Sequence, residues 1–452
     1  MSDASAAGRF LLGDHSDRSL TAKIADIVLG RRPRRGWLAA FGAAAAFTVL
    51  FLTATSYLFA TGVGIWGISV PVVWGWAITN YVWWIGIGMS GTFISAALLL
   101  SRQPWRTSIN RFAEAMTVFA VAIAGMFPIL HLGRPWFFYW LVPYPNIMNV
   151  WPQWRSALEW DFFAILAYLV VSILFWYVGM LPDLASLRDR ATSRRAQIFY
   201  GLLALGWRGE ARHWQRHETL SWLLSGLAVP LVFSVHSMVA MDFCEGITRG
   251  WHSTIFAPFF VAGALFSGFA CVLALAIPLR AIYGLHDLIT IRHLENVAKV
   301  LLAAGLVVDY SYLMDVFTSY YSGDRFDTYV TFWRIAGSYW PLYWGTIVCN
   351  ALAPQALWFA AVRRSPAALF FVSVVIIIGM WLERFMLIVT SLSRTFLPSE
   401  WGMFYPTFWD WAHLAGSLGL FAFMFLLFLR LLPMVAIGEL RGLLRARSGS
   451  GS

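Results

Sequence analysis

Charge is scarce in this chain. Of its 452 residues only 12% are Asp, Glu, Lys or Arg, against about a quarter in an ordinary soluble domain, which excludes a water-soluble globular fold. Cysteine is scarce too: Cys244, Cys271 and Cys349 stand apart, with no CxxC and no CxxCH. That excludes a covalent c-type haem or a cysteine-ligated cluster built from this chain alone. No Gly-rich phosphate loop, nucleophile elbow or HExxH motif stands out, so nucleotide and hydrolytic chemistry lack support, and no metal site is expected.

What is present is apolar surface. Hydrophobic residues make up 59% of the chain, with 25 Trp and 36 Phe and a mean hydropathy of +0.66. Trp and Tyr gather where acyl chains meet headgroups. The net charge of +10 then reads as arginine held on the cytoplasmic side of a bilayer, not as a nucleic-acid surface. Runs of about 20 apolar residues start near Trp37, Ala77, Phe112, Trp160, Leu220, Thr254, Val297, Gly337, Ala367 and Trp409. The expected fold is therefore all-α, a polytopic membrane protein of about ten transmembrane helices.

Loop charge sets the expected orientation. One side collects Arg31, Arg32, Arg34, Arg35, Arg102, Arg106, the basic stretch from Arg188 to Arg216, Arg280, Arg292, Arg363, Arg364 and Arg441 to Arg447. The other keeps Arg134, Arg155, Arg249, Arg325, Arg334 and Arg394. By the positive-inside rule both termini are expected in the cytoplasm of a bacterial cell, with the chain in its inner membrane. Residues 1–36 read as a basic cytoplasmic tail and not a signal peptide. Residues 37–432 form the membrane domain, 183–217 a long loop expected to be solvated, with an amphipathic surface helix as the alternative, and 433–452 a second cytoplasmic tail.

Ionisable groups inside spans are functional candidates by default. His131 ends the third span, just before Pro135; Asp161 opens the fourth; His236 and Asp242 end the fifth. All four are expected at one depth near the outer face. A neutral imidazole beside a carboxylate suits a quinol headgroup, because both can accept its hydroxyl protons as electrons leave. A second set lies deeper: Asp309, Tyr310, Tyr312 and Asp315 on the seventh span, Glu383 and Arg384 on the ninth. It reads equally as an ion-pair lock or a proton path. Glu114 with Thr117 reads as a proton entrance or as a first-turn helix acid. Asp410 and His413 open the tenth span, where a solvated interfacial role is expected. The residues alone leave open a proton-coupled transporter, and a haem-bearing anchor with His131 and His236 as ligands.

Several stretches carry a family likeness: Ile85-Gly86-Ile87-Gly88-Met89-Ser90-Gly91-Thr92, Asn110-Arg111-Phe112-Ala113-Glu114-Ala115-Met116-Thr117 and His131-Leu132-Gly133-Arg134-Pro135-Trp136. Ser156 to Asp161, Trp176 to Asp183, Gly250 to Phe256, Pro258 to Ala264, Tyr343-Trp344 and Cys349 to Gln355 continue it. From about the second span to the tenth, the chain resembles the NrfD/polysulfide-reductase family of quinone-interacting membrane subunits, and within it most resembles the ActC-type subunits of bacterial alternative complex III. The likeness implies two four-helix bundles, spans two to five and six to nine, plus two peripheral helices. It implies a quinol pocket at the outer face, with menaquinol or ubiquinol as substrate and no haem or cluster in this chain. His131 and Asp161 match the family's quinol-contacting residues; Arg134, Trp136, His236 and Asp242 are the further candidates. Implied partners are an iron–sulfur subunit at the outer face, haem c subunits and a second NrfD-like membrane subunit. Implied proton carriers are Asp309, Asp315, Glu383 and Arg384, with Glu114 and Tyr312 as further candidates from the residues themselves. A quinone-reducing anchor of a polysulfide-reductase-like enzyme uses the same pocket in reverse.

Overall fold

The computed structural model describes residues 10–30, 35–142 and 153–448, so Arg31, Arg32 and Arg34 lie outside the described residues. The helices are α1 (Asp17–Leu29), α2 (Arg35–Thr61), α3 (Trp76–Leu100), α4 (Asn110–His131), α5 (Ala157–Arg190), α6 (Arg194–Leu203), α7 (Ala211–Cys244) and α8 (Phe256–Ile282). They continue as α9 (Ile291–Tyr321), α10 (Arg325–Ala336), α11 (Trp340–Ile347), α12 (Ala360–Arg363), α13 (Pro366–Leu392), α14 (Phe408–Leu431) and α15 (Ile437–Ser448). Among the described residues there is no strand. In hydrocarbon only a helix or a closed barrel satisfies its own backbone, and the apolar runs here are of helical length. Nine helices among the described residues are long and apolar enough to cross a membrane: α2 to α5, α7 to α9, α13 and α14.

The run starting near Gly337 is not one of them. It folds as α11, a π turn (Val348–Leu352), a 3-10 turn (Ala353–Trp358) and α12. Pro354 has no N–H to give the carbonyl of Asn350, so a regular helix breaks there, and π turns relieve such a defect. The segment nonetheless covers the depth of α9. At one end the Tyr339 hydroxyl accepts the Phe404 amide (3.0 Å); at the other, Arg364 Nε reaches Glu295, near the start of α9, at 3.3 Å. It is the tenth pass, made in pieces.

Helices α3, α4, α5 and α7 pack into a first bundle; α8, α9, the broken pass and α13 form a second, joined to it through α3 and α8. Glycine sets the closest approaches. A Cβ on Gly91 of α3 would collide with the Ala113 carbonyl oxygen of α4. Peripheral α2 lies along α14, where a Cβ on Gly416 would stand 2.7 Å from that of Phe51. The start of α2 and the end of α14 share one end of the molecule, where the Arg430 guanidinium donates to the Gly30 carbonyl at 2.6 Å. This arginine-rich end also holds α1, α6 and α15; the opposite end is marked by His131.

The stretch 183–217 is mostly ordered helix and not a solvated loop: α5 runs on to Arg190, α6 follows, and α7 begins at Ala211. Tyr177 ties α5 to it, donating to the Leu203 carbonyl at 2.7 Å.

Candidate functional site

At the His131 end of the first bundle, three buried side chains from three helices meet. Tyr81 sits in the second turn of α3, beside Asn80, whose Oδ1 accepts from Trp381 Nε1 of α13 (2.8 Å). Asp161 lies in the second turn of α5, and Asp242 in the last turn of α7. The Tyr81 hydroxyl donates to Asp161 Oδ2, and the Asp161 and Asp242 carboxyls lie against each other. Oδ1 of each is buried without a partner among the described residues. Beside Asp242, Phe243 meets Trp251 edge-on (centroids 5.0 Å apart), and Trp251 stacks on Trp74 at 5.6 Å. Aromatic rings thus line this end of α7 and the loop before α3.

His131 ends α4 as predicted. Its ring stacks on Trp66 with centroids 6.3 Å apart, and its Nδ1 is buried without a partner among the described residues. Arg134 and Trp136 follow in the exposed turn beyond. The four residues His131, Asp161, His236 and Asp242 do not share one depth. His236 is six residues below Asp242 on α7, about 9 Å along the axis. It is fully buried, with its Nε2 3.9 Å from a Cβ built on Gly86. Asp410 and His413 are not solvated either, each being only 2% exposed. Asp410 accepts the Thr407 and Gly67 amides at 2.8 and 2.9 Å, which caps α14 and pins the loop before α3. His413 Nδ1 lies 2.8 Å from the Trp409 carbonyl and 3.3 Å from Trp66 Nε1. These bonds repay burial that the position at a helix start did not predict.

The deeper acids of the second bundle have partners. Asn350 of the π turn donates to the Tyr312 hydroxyl (2.9 Å), which donates to Glu383 (2.5 Å). Arg384 Nη1 lies 3.1 Å from Glu383, and its guanidinium sits 4.2 Å over the Phe260 ring. Asp315 faces Arg334 of α10 at 3.8 Å, and that arginine also donates to Thr390 (3.0 Å) and Ser391 (2.5 Å). A cavity of about 60 Å³ touches Tyr312, Glu383, Asp315 and Arg334 together. Asp309 accepts from Gln355 at 2.8 Å, and Tyr310 is exposed.

Glu114 belongs to the other end. Arg111 bridges it and Asp183, 3.2 Å to each, with all three buried. The Gly438 amide of α15 donates to Asp183 at 2.8 Å. Glu439 accepts from Asn110 (3.1 Å) and pairs with Arg106 (3.1 Å). A cavity of about 850 Å³ opens over this group. It is far larger than anything at the acid–tyrosine cluster, but its floor is a closed set of ion pairs. Buried acceptors without partners mark a reacting site better than cavity size; Asp309, Glu383 and His236 also carry such atoms, but Asp161 and Asp242 meet with no cation paired to either among the described residues, so the candidate site stays with them, Tyr81 and His131.

Tyr81 escapes a reading by charge, since a tyrosine within Asn80-Tyr81-Val82-Trp83-Trp84 looks like one more interfacial aromatic. Its neighbour Asn80, a polar residue in an apolar run, is the only local signal. Asn350 and Gln355 carry a clearer one, because they flank Pro354 within a span.

A helical bundle with nine helices of membrane-spanning length and apolarity among the described residues, and paired carboxyls buried at one end, defines a membrane protein. The family model described as "Polysulphide reductase, NrfD" matches residues 64–395, and the chain belongs to that family, whose subunits interact with quinone. It is also similar to a putative dimethyl sulfoxide reductase membrane subunit of Halobacterium salinarum, 27% identical over 246 residues. That match takes in 54% of this chain and 51% of the relative, so the chain spans about half the length of the curated relative it matches.

Proposed function

We propose that this chain is the quinol-binding membrane subunit of a respiratory quinol:acceptor oxidoreductase of the alternative complex III type. Quinol binds at the His131 end, where oxidation releases two electrons and two protons. The observation that carries this reading is the contact of Asp161 with Asp242 beneath Tyr81, with an unpartnered oxygen on each carboxyl. These oxygens and His131 Nδ1 are the acceptors that quinol hydroxyls require, and the Trp74, Trp251 and Phe243 rings supply an apolar wall for the ring and tail. His131 and Asp161 act as proton acceptors, Asp242 as their relay, and Tyr81 holds Asp161 in place. Arg134 and Trp136 stand at the surface above, and His236 beneath.

Electrons leave to an iron–sulfur subunit seated on this end, as in family members that pair with such subunits, and onward to haem c subunits; a second NrfD-like subunit completes the membrane part. In this reading the arginine-rich end faces the cytoplasm of the inner membrane. The groups Asp315–Arg334 and Tyr312–Glu383–Arg384, joined by a small cavity, with Asp309 beside them and Glu114 at the far end, are the carriers if protons cross. The name of the Halobacterium relative supports a redox subunit but not the particular acceptor.

The test is turnover of the purified complex with a menaquinol and a ubiquinol analogue. His131→Ala and Asp161→Asn should abolish quinol oxidation while the iron–sulfur and haem subunits still co-purify. Normal turnover in both variants, or solute uptake by the chain alone in proteoliposomes, would sink the proposal.

A further inference from the structure

Residues 188–218 hold seven arginines against three acids, yet α6 turns apolar side chains outward. Leu202 is 72% exposed, with Ile198 and Phe199 exposed on the same side of the helix, and Leu205 in the turn just beyond is 70% exposed. The opposite face, with Tyr200 and Ala204, is buried against α5. A helix of this kind, apolar outward among arginines, is satisfied at a bilayer surface, with leucines among the upper acyl carbons and guanidinium groups among the phosphates.

Two adjoining hollows lie under this element. The 850 Å³ cavity is walled on this side by Trp207, Arg208, Trp214 and His217. A second, of about 180 Å³, shares Trp207 and His217 but is otherwise lined chiefly by apolar groups, Val178, Leu181, Leu205 and Leu220, with Arg216 in its wall. The arginines of the large cavity's floor are spoken for: Arg106 by Glu439 (3.1 Å), Arg111 by Glu114 and Asp183 (3.2 Å each). Arg188 holds Asp189 at 2.8 Å, and Arg445 holds Asp17 at 2.8 Å. Arg208 and Arg216 make no ion pair among the described residues. Arg208 therefore borders the polar hollow and Arg216 the apolar one, neither in an ion pair among the described residues, and Trp207, common to both hollows, packs edge-on to Trp214 (centroids 5.1 Å).

We propose that this junction, formed by α5, α6 and the start of α7, binds an anionic phospholipid. Its phosphate sits between Arg208 and Arg216, and the first part of an acyl chain lies in the hollow lined by Leu181, Leu205 and Leu220. The planar guanidinium fork suits a phosphate oxygen pair. The site is independent of the quinol reading, because it lies at the opposite end of the bundle.

The probes are phosphatidylglycerol and phosphatidylcholine, added to the delipidated complex and counted by native mass spectrometry. Wild type should retain phosphatidylglycerol at least tenfold over phosphatidylcholine, since each surface arginine favours an anionic headgroup by about 1 kcal/mol or roughly fivefold. The double variant Arg208→Gln/Arg216→Gln should lose that preference, and Arg325→Gln at the other end should keep it. Leu205→Asp should weaken retention with both arginines in place. Equal retention of the two lipids by wild type overturns the proposal without recourse to any variant. So does an unchanged preference in the double variant, or full displacement by glycerol 3-phosphate, which would mean a site for free anions.

Discussion

The acids at the His131 end of the first bundle and those beside Arg384 and Arg334 in the second are both buried, but they are satisfied differently. In the second, Glu383 has Arg384 at 3.1 Å and Tyr312 at 2.5 Å, and Asp315 has Arg334 at 3.8 Å. In the first, at the His131 end, Asp161 and Asp242 have only Tyr81 and each other, with no ion pair among the described residues. Burying a charge without a counterion is costly, and neutralising such a group by protonation relieves the cost. An acid left without a cation is therefore poised to gain or lose a proton, whereas one locked to arginine is poised to hold helices together. Under the proposed function, that difference separates a site for chemistry from sites for architecture within one fold.

The strongest test of that distinction is Asp161→Asn. General-base catalysis is worth about 10²–10⁴-fold, so kcat for quinol oxidation should fall by at least two orders of magnitude. The thermal unfolding temperature of the complex, followed by tryptophan fluorescence, should hold or rise. A lowered unfolding temperature with intact turnover would erase the contrast. Arg384→Leu should do the reverse, leaving Glu383 buried and unpaired at a cost of about 3–5 kcal/mol; the expected readout is a clear drop in unfolding temperature. Tyr81→Phe comes next: it removes one hydrogen bond to a charged or proton-sharing acceptor, worth about 1.5–3 kcal/mol. Turnover should fall roughly tenfold to a hundredfold, with a smaller drop in unfolding temperature than for Arg384→Leu. Asp410→Ala is the smallest. It removes the capping bond at the start of α14, so stability should fall by about 1 kcal/mol, and quinol turnover should stay near that of wild type.

Much of the fold is legible in the amino-acid sequence alone. Apolar runs locate the continuous passes, because a bilayer demands about 20 residues without free backbone groups. His131 and Asp161 stand out as ionisable groups at span ends, and the structure places both at the same end of the first bundle. The broken pass is hidden because Val348 to Ala361 is as apolar as a regular span, although Pro354 marks the break. His236 is set too shallow by counting along α7 from its last residue, which ignores that Asp242, not His236, reaches Asp161. Tyr81, Asp410 and His413 are missed or misread for one reason. Their roles come from partners far away in the chain, such as Asp161 for Tyr81 and Gly67 for Asp410, and no local pattern encodes such a meeting.

The pairing of α2 with α14 bears on how the molecule is made. The residues between Thr61 and Phe408 must be synthesised before α2 meets its neighbour, which at about 5–20 residues per second takes roughly 20–70 s. Through that interval α2 has to stay in the bilayer on hydropathy alone. Its composition suits the wait: residues 35–61 hold no acid and only one arginine, and little of the helix is buried even in the finished fold. Gly416 then makes room for Phe51 when α14 arrives. A larger residue there should leave insertion of the early helices intact and show its defect only after synthesis is complete, as a chain fully inserted but with its outer pair unzipped.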